Sequence, residues 1–203
     1  MSDRNRVVYE QVAESWDALR GNELIEKAWL ERLAAAVSPG ARVLDLGCGT
    51  GSPIAGFFVA AGCDLVGVDF SPAMIAVARK NFPDAEWHVA DIAQLPELGR
   101  FDAVMSWDGF FHLSIEDQRR VLPEIATLVR AGGAMLLTIG TAEGAVTGTV
   151  DGRTVTHASL SPDEYASTLR ANGFGEVVIV LDDPEYTGHS VILAVEKQQL
   201  TRP

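Results

Sequence analysis

The sequence predicts a doubly wound α/β domain built on a seven-stranded, mostly parallel sheet with helices on both faces. Short apolar runs alternate with helical patterns along the middle of the chain, which is typical of parallel strands joined by helices. Two further apolar runs near the C-terminal end have no helical pattern between them. The length of 203 residues suits one domain, 1–203, because domains of about 100 to 200 residues are common.

The N-terminal segment is predicted to be helical and to precede the sheet. Apolar side chains recur at helical spacing from Val7 to Leu19, and a second such pattern follows Gly21. We therefore expect two helices within residues 1–37, followed by a sheet-based core over residues 38–203.

Five buried strands are expected in the parallel part of the sheet. They are Arg42 to Leu46, Leu65 to Phe70, Trp87 to Ala90, Ala103 to Ser106 and Ala134 to Ile139. Helix starts between strands are marked by capping residues: Ser71 precedes a proline, and Ser114 stands three residues before Asp117. Each helix should return the chain to the same edge of the sheet.

The C-terminal part is predicted to contain one helix and an antiparallel hairpin. Ser161 and Glu164 form a capping box that starts the helix, and Gly173 should end it. The strand-like runs Val177 to Leu181 and Ser190 to Val195 follow without a helix between them. Adjacent strands with a short connection pair antiparallel, so we expect this hairpin at one edge of the sheet.

The composition is that of an ordinary globular protein. Hydrophobic residues make up 47% and charged residues 22%, and no apolar run approaches the roughly 18 residues that a membrane span needs. The polar first residues do not resemble a signal peptide, so we expect a cytoplasmic location. The formal charge of -12 and the scattered Lys and Arg disfavour nucleic acid as a partner. Cys48 and Cys63 lack metal-ligand spacing, and no metal site is expected.

The stretch VLDLGCGTGSP, from Val43 to Pro53, changes abruptly from a strand pattern to glycine at every second position. Glycine lacks the Cβ that would keep main chain away from a ligand, so this loop is predicted to lie against one. The dinucleotide fingerprint G-x-G-x-x-G would need glycine where Ser52 stands. Asp45, two residues before the first glycine, would repel a pyrophosphate.

Four stretches carry a family resemblance. VLDLGCGTG resembles the first motif of the class I S-adenosylmethionine-dependent methyltransferases, and VGVDFSPAMIAVAR resembles their second strand and following helix. FDAVMSWDGFFHLS is similar to their fourth-strand region, and LPEIATLVRAGGAMLLTI continues the match. The resemblance covers about Val37 to Ile139 and looks closest to the bacterial small-molecule subgroup. It implies a Rossmann-like fold, S-adenosylmethionine as cofactor and S-adenosylhomocysteine as product.

The cofactor's chemistry suits the residues at the predicted strand ends, because it has two cationic groups, ribose hydroxyls and an adenine but no phosphate. Asp45 would face its ammonium group, Asp69 would accept hydrogen bonds from both ribose hydroxyls, and Asp91 would accept one from the adenine amino group. Phe70 and Ile92 would contact the purine. Further cofactor contacts are expected from Gly47, Cys48, Gly49, Gly51, Met74 and Trp107. Each carboxylate has an alternative interpretation as a helix cap or turn residue.

The resemblance places the methyl acceptor beside the segment after the fourth strand. His112 is the candidate base, because imidazole titrates near neutral pH, although a structural histidine would fit the pattern equally well. Asp108 would orient that ring or bind the acceptor, and Phe111 would form an aromatic wall with Trp107. The segment lacks the Pro-Pro-aromatic motif that related enzymes use for amide and adenine nitrogens, so those acceptors are disfavoured.

Two aromatic residues of the first helix, Tyr9 and Trp16, resemble lid residues of small-molecule methyltransferases, with a place in the core as the alternative. Residues 1–37 are therefore predicted to cover the site as a helical lid. The other histidines are expected to be structural or exposed, because they show no ligand spacing: His88, His157 and His189.

The predicted function is methyl transfer from S-adenosylmethionine to a small molecule by in-line displacement. The chain is expected to act as a monomer or homodimer, without nucleic acid or membrane. Two alternatives stay open: a nicotinamide-dependent oxidoreductase, which Asp45 and Ser52 disfavour, and a regulatory protein that binds S-adenosylmethionine without turnover.

Overall fold

The computed structural model describes residues 3–21, 23–184 and 188–199. The strands are β1 Arg42–Leu46, β2 Asp64–Asp69, β3 Glu86–Val89, β4 Phe101–Ser106, β5 Val129–Ile139, β6 Gly144–Val150, β7 Arg153–Ser159, β8 Phe174–Asp183 and β9 His189–Lys197. The helices are α1 Asp3–Val12, α2 Trp16–Arg20, α3 Lys27–Ala35, α4 Ile54–Ala60, α5 Pro72–Asn81, α6 Ile115–Leu128 and α7 Pro162–Ala171. Two 3₁₀ turns, Ile92–Gln94 and Phe110–His112, follow β3 and β4. Within these residues, no helix combines the length and hydrophobicity needed to cross a lipid bilayer.

The main sheet has seven strands, as predicted, and their order is β3-β2-β1-β4-β5-β9-β8. The first five strands are parallel, and β9 pairs antiparallel with both β5 and β8. The chain runs outward from β1 to β3 and then returns to place β4 on the other side of β1. This reversal opens a crevice at the carboxyl ends of β1 and β4, which is where open α/β sheets bind ligands.

Both faces of the sheet are buried by helices. Side chains alternate along β1, so Leu44 packs on the face covered by α6 and α7, and Val43 packs on the face covered by α3, α4 and α5. The three predicted caps are confirmed: the hydroxyl groups of Ser71, Ser114 and Ser161 each accept a backbone N–H from the residue three positions later. These caps fix where α5, α6 and α7 begin.

The structure adds a feature that the sequence analysis missed. Strands β6 and β7 form a separate two-stranded antiparallel sheet, called here the β6–β7 hairpin. Its turn holds Asp151 and Gly152 with φ of 47° and 71°, and an Asp-Gly pair with two positive φ angles is the preferred two-residue hairpin turn. The sequence signal for this hairpin is therefore local: an Asp-Gly pair between two runs rich in Thr and Val.

The N-terminal segment also differs from the prediction. It forms three helices instead of two, because residues 13–15 make a turn between α1 and α2. Helix α3 packs into the core, with Trp29, Leu30 and Leu33 fully buried. The segment that covers the crevice is therefore α1 with α2.

Candidate functional site

A pocket of about 510 Å³ opens at the carboxyl ends of β1, β2 and β4. Its volume is in the range typical of small-molecule sites, about 300 to 1,000 Å³. Most of the predicted site residues line it: Tyr9, Trp16, Asp45, Gly47, Cys48, Gly49, Asp69, Phe70, Met74, Trp107, Asp108, Phe111 and His112. Helices α1 and α2, the β6–β7 hairpin and the start of β9 supply the remaining walls.

The glycine loop after β1 is anchored at its start and open to the pocket further on. The N–H groups of Gly47 and Cys48 donate to the carbonyl of Val68, at 2.8 and 3.1 Å. A Cβ at Gly47 would lie 2.9 Å from the Cα of Gly109, so backbone packing requires glycine there. Gly49 has a φ of +54°, and a Cβ on it would point at the Trp16 indole, 3.4 Å away.

Gly51 serves the core instead of the pocket. It is absent from the pocket wall formed by the described residues, and a Cβ on it would lie 2.8 Å from the ring of Trp87. With φ at +78°, the position also suits glycine by backbone conformation. The structure thus separates Gly51 from Gly47 and Gly49, the two glycines of this loop that line the pocket.

Two buried carboxylates, Asp45 and Asp69, give the pocket its charge. Asp69 accepts the N–H of Gly49 at 3.0 Å and that of Ser71 at 2.8 Å, so it joins the glycine loop to the start of α5. Burial raises the pKa of Asp69 to about 6. Burial, and then the charges of Asp69 and Glu26, raise the pKa of Asp45 to about 7. The ionised pair is therefore costly in the free protein, and a bound cation would lower that cost.

The arginine in the pocket wall, Arg20, is paired with another acid. One of its guanidinium nitrogens, Nη2, donates to both carboxylate oxygens of buried Glu26, at 2.7 and 2.8 Å. Hydrogen bonds between charged groups are the stronger kind, so this pair holds Arg20 on Glu26.

Asp91 and Ile92 lie beside the pocket without lining it. Asp91 forms an ion pair with Arg6 of α1 and accepts the N–H of Ala93 at 2.9 Å, which caps the 3₁₀ turn. The Arg6 guanidinium also lies 5.5 Å from the centre of the Phe70 ring. Ile92 is buried beneath the glycine loop. Helix α1 therefore contacts the surface predicted to bind adenine.

His112 stands in the opposite wall, surrounded by other rings. Its Nε2 lies 2.8 Å from the Tyr9 hydroxyl, and its Nδ1 lies 3.1 Å from the Asn5 side-chain nitrogen. The rings of Phe111 and His157 each lie 4.9 Å from its own. Burial, and then the nearby His157, lower the pKa of His112 to about 4. The ring is therefore neutral at neutral pH.

The remaining wall brings together Trp107, Asp108 and His189. Asp108 has a φ of 54°, and its carboxylate lies 3.1 Å from His189 Nε2. The His189 ring stacks on Trp107 with centroids 5.5 Å apart. Trp107 Nε1 is buried without a hydrogen-bond partner among the described residues. Buried donors are normally paired, so this N–H is available to a ligand.

His157 and His189, which were expected to be structural or exposed, both line the pocket. Antiparallel pairing brings the start of β9 to the edge where the parallel strands end, and this places His189 there. His157 arrives on the β6–β7 hairpin. Neither position follows from residue spacing alone. Further lining residues were also missed: Arg20, Ser52, Ile54, Gly109, Thr138, Ile139, Gly140, Thr141, Val150, Asp182, Gly188 and Ser190.

A family model described as "Methyltransferase domain" matches residues 43–133, from β1 into β5. A magnesium-protoporphyrin O-methyltransferase of Rhodobacter capsulatus is 34% identical over 124 residues, which are 59% of this chain and 53% of that protein. Residues 43–133 are thus similar to a methyltransferase domain. A trans-aconitate 2-methyltransferase of Variovorax paradoxus is 33% identical over 106 residues, 48% of this chain and 38% of that protein. The chain spans about half or less of the length of these relatives.

Solved methyltransferase structures share the fold over nearly the whole chain. CalS10, an amino pentose methyltransferase of Micromonospora echinaspora solved with its cofactor bound, superposes with a TM-score of 0.70 at 21% identity. The match covers 91% of this chain and 96% of that one. The predicted Rossmann-like architecture is therefore confirmed.

The residues of the pocket have the chemistry to hold S-adenosylmethionine, the ligand bound in the CalS10 structure. Its sulfonium and ammonium groups are cations, and the pocket presents two buried carboxylates, Asp45 and Asp69, whose ionised forms need such a partner. Its carboxylate can accept a hydrogen bond, and the unpaired indole N–H of Trp107 is a donor in the same wall. Gly49 leaves room for main chain to approach it.

Proposed function

We propose that this protein transfers a methyl group from S-adenosylmethionine to a small-molecule acceptor bound in the same pocket. One observation carries the proposal: two buried carboxylates and a glycine loop face a wall of aromatic and polar side chains across one cavity. When bound, S-adenosylmethionine supplies a methyl group on a positively charged sulfur. The protein's part is to orient both molecules and to exclude water, because in-line transfer depends mainly on proximity.

In the cofactor half of the pocket, Asp45 receives the ammonium group. Asp69 accepts hydrogen bonds from the ribose hydroxyls, using carboxylate lone pairs that the N–H groups of Gly49 and Ser71 do not occupy. Gly47, Cys48 and Gly49 lie along the methionine and ribose portions, with Phe70 and Met74 as apolar surface. Asp91, which is paired with Arg6 and lies beside the pocket, receives the adenine amino group on a remaining lone pair.

The acceptor half lies between α1 and the turn after β4. Trp107 and Phe111 form its aromatic wall, Tyr9 and Trp16 cover it, and Asp108 and His112 are its polar groups. Because one cavity of about 510 Å³ holds both molecules, the acceptor is small or inserts only its reactive end. The charge of -12 argues against nucleic acid as the acceptor.

The raised pKa values predict that cofactor binding is linked to proton release. In the free protein Asp45 is partly protonated below its pKa of about 7, whereas an ammonium partner favours the ionised form. Binding should therefore release a proton below pH 7, and affinity should rise roughly tenfold from pH 6 to pH 7.5. Calorimetry in two buffers of different ionisation enthalpy measures the proton directly. A pH-independent affinity would remove Asp45 from the ammonium site, and Asp45→Asn should weaken binding and flatten the profile.

Helix α1 is expected to become more protected when the cofactor binds. Its side chains bridge several parts of the rim: Glu10 pairs with Ser71, Arg6 with Asp91 and Tyr9 with His112. With S-adenosylhomocysteine bound, amide hydrogen exchange in residues 3–12 should slow, because the ligand supports the inner face of the helix. Helix α7, whose side chains pack on one face of the sheet, is the internal control. Equal exchange in α1 with and without ligand would contradict a covering role.

The proposed activity is tested with labelled cofactor. Thermal shift should show stabilisation by S-adenosylmethionine and S-adenosylhomocysteine but not by NAD, since a ligand that binds only the folded state raises its stability. Stabilisation by NAD alone would favour the oxidoreductase alternative. Incubation with methyl-labelled cofactor and a metabolite extract should then yield labelled small molecules. Binding without any labelled product from extracts of several sources would favour a regulatory protein.

A further inference from the structure

A chain of hydrogen bonds runs from the β6–β7 hairpin through α1 to the pocket. It joins the Thr156 backbone, the Asn5 side chain, the His112 ring and the Tyr9 hydroxyl. Asn5 is fully buried, and it lies outside the sequence motifs of the cofactor site. The direction of each hydrogen bond in this series decides whether the Tyr9 hydroxyl faces the methyl acceptor as a donor.

The first link fixes the orientation of the Asn5 amide. The backbone N–H of Thr156 donates to Asn5 Oδ1 at 2.9 Å, and Asn5 Nδ2 donates to the carbonyl of Thr156 at 2.8 Å. Rotating the amide by half a turn would set donor against donor and acceptor against acceptor. Asn5 Nδ2, which is a donor, therefore lies on the side of His112 and within hydrogen-bond distance of its Nδ1.

The second link fixes the hydrogen on His112. Nδ1 lies 3.1 Å from Asn5 Nδ2, which is only a donor, so Nδ1 must accept. The Thr156 carbonyl is also 3.3 Å from Nδ1, but a hydrogen on Nδ1 would face the Asn5 amide hydrogens. A neutral imidazole carries one hydrogen, and it must then be on Nε2. Nε2–H donates to the Tyr9 oxygen at 2.8 Å.

We propose that Asn5 is a positioning residue that holds His112 in the Nε2–H form, so that the Tyr9 hydroxyl donates a hydrogen bond to the methyl acceptor. This inference rests on the proposed function, and it narrows the methyl acceptor to a molecule with a hydrogen-bond-accepting atom, such as a carboxylate oxygen, beside the methylated atom. It also replaces the base role predicted for His112, because a base would need a free lone pair on Nε2.

The tautomer is measured by long-range ¹H–¹⁵N NMR on the full chain labelled in its histidines, with S-adenosylhomocysteine bound. His112→Gln identifies the signals of His112 by their loss. In the wild-type protein we expect a protonated Nε2 and an unprotonated Nδ1 between pH 6.5 and 8. A protonated Nδ1 in this range would overturn the proposal and restore the base role.

Asn5→Asp supplies the matched test of Asn5 itself. A carboxylate at this place still accepts the Thr156 N–H but turns an acceptor toward Nδ1, so the hydrogen should move to Nδ1 and the pKa of His112 should rise. An unchanged tautomer and titration in this variant, once it is shown to be folded, would also overturn the proposal. Should the variant not fold, Asn5→Ala, which removes the donor, is expected to give a mixture of both tautomers.

These spectra do not depend on turnover, so the two proposals fail separately. Absence of methyl transfer with every acceptor tried would remove the proposed function and leave the tautomer assignment in place. Where transfer is found, Tyr9→Phe should raise the acceptor KM several-fold with the cofactor affinity near the wild-type value. An unaltered KM would remove Tyr9 from acceptor binding.

Discussion

Gly49→Val is expected to abolish S-adenosylmethionine binding while the protein stays folded. The position has a φ of +54° and faces the pocket, where a Cβ would already lie 3.4 Å from the Trp16 indole. A β-branched side chain adds two further carbons on the surface along which the cofactor is proposed to lie. We expect calorimetry to show no binding at concentrations that saturate the wild-type protein, a loss of more than about a hundredfold.

The backbone strain of this substitution needs its own control, and Gly40→Val provides it. Gly40 has a φ of +76° with nothing near its absent Cβ, and it lies outside the pocket wall formed by the described residues. Both variants should lose a similar stability, of the order of 1 to 2 kcal/mol for a non-glycine residue in the left-handed region. Only Gly49→Val should lose binding. Normal binding by a folded Gly49→Val protein would mean that the loop does not contact the ligand.

Asp69→Ala is expected to weaken cofactor binding roughly tenfold to a hundredfold. This range corresponds to the loss of one hydrogen bond to a charged partner, which costs about 1.5 to 3 kcal/mol. Loss of the hydrogen bonds to both ribose hydroxyls would weaken binding further. The variant also frees the N–H groups of Gly49 and Ser71, so the glycine loop loses its tie to α5. The variant should stay folded. Burial makes the ionised form of Asp69 costly in the free protein, and the alanine side chain removes that cost.

Asp64→Ala is the matched control for Asp69→Ala on the same strand. Asp64 begins β2, its side chain is 63% exposed, and it pairs with Arg42 at the edge opposite the pocket. Removing an exposed ion pair of this kind costs little, so the cofactor affinity should stay at the wild-type value. If the two variants bind equally well, Asp69 is not in the cofactor site.

The main sheet, and the meeting of the glycine loop with Asp45 and Asp69 at one pocket, could be predicted because their signals are local. The strand Arg42 to Leu46 is followed directly by Gly47 and Gly49, and Asp69 ends the next strand. Parallel strands bring such residues to one edge whatever the details of packing. The hairpin was not predicted, although its turn signal at Asp151 and Gly152 is equally local.

Other parts of the site depend on contacts between distant segments. Asn5 stands 107 residues from its partner His112, and nothing about an asparagine in a helix indicates that it is buried there. The Arg6 ion pair with Asp91 likewise joins residues 85 positions apart. Such pairings become visible only once α1 has been placed over the sheet.

The β6–β7 hairpin has a consequence for how the pocket could diversify. Its two strands pair with each other and, among the described residues, with no strand of the main sheet. Changes in its length or side chains would therefore leave the ladder that positions Asp45 and Asp69 intact. The hairpin nevertheless carries His157 and Val150 into the pocket wall. Related chains that exchange this hairpin would change one wall of the pocket and keep the proposed cofactor half unaltered, provided that residue 156 keeps its backbone pair with Asn5.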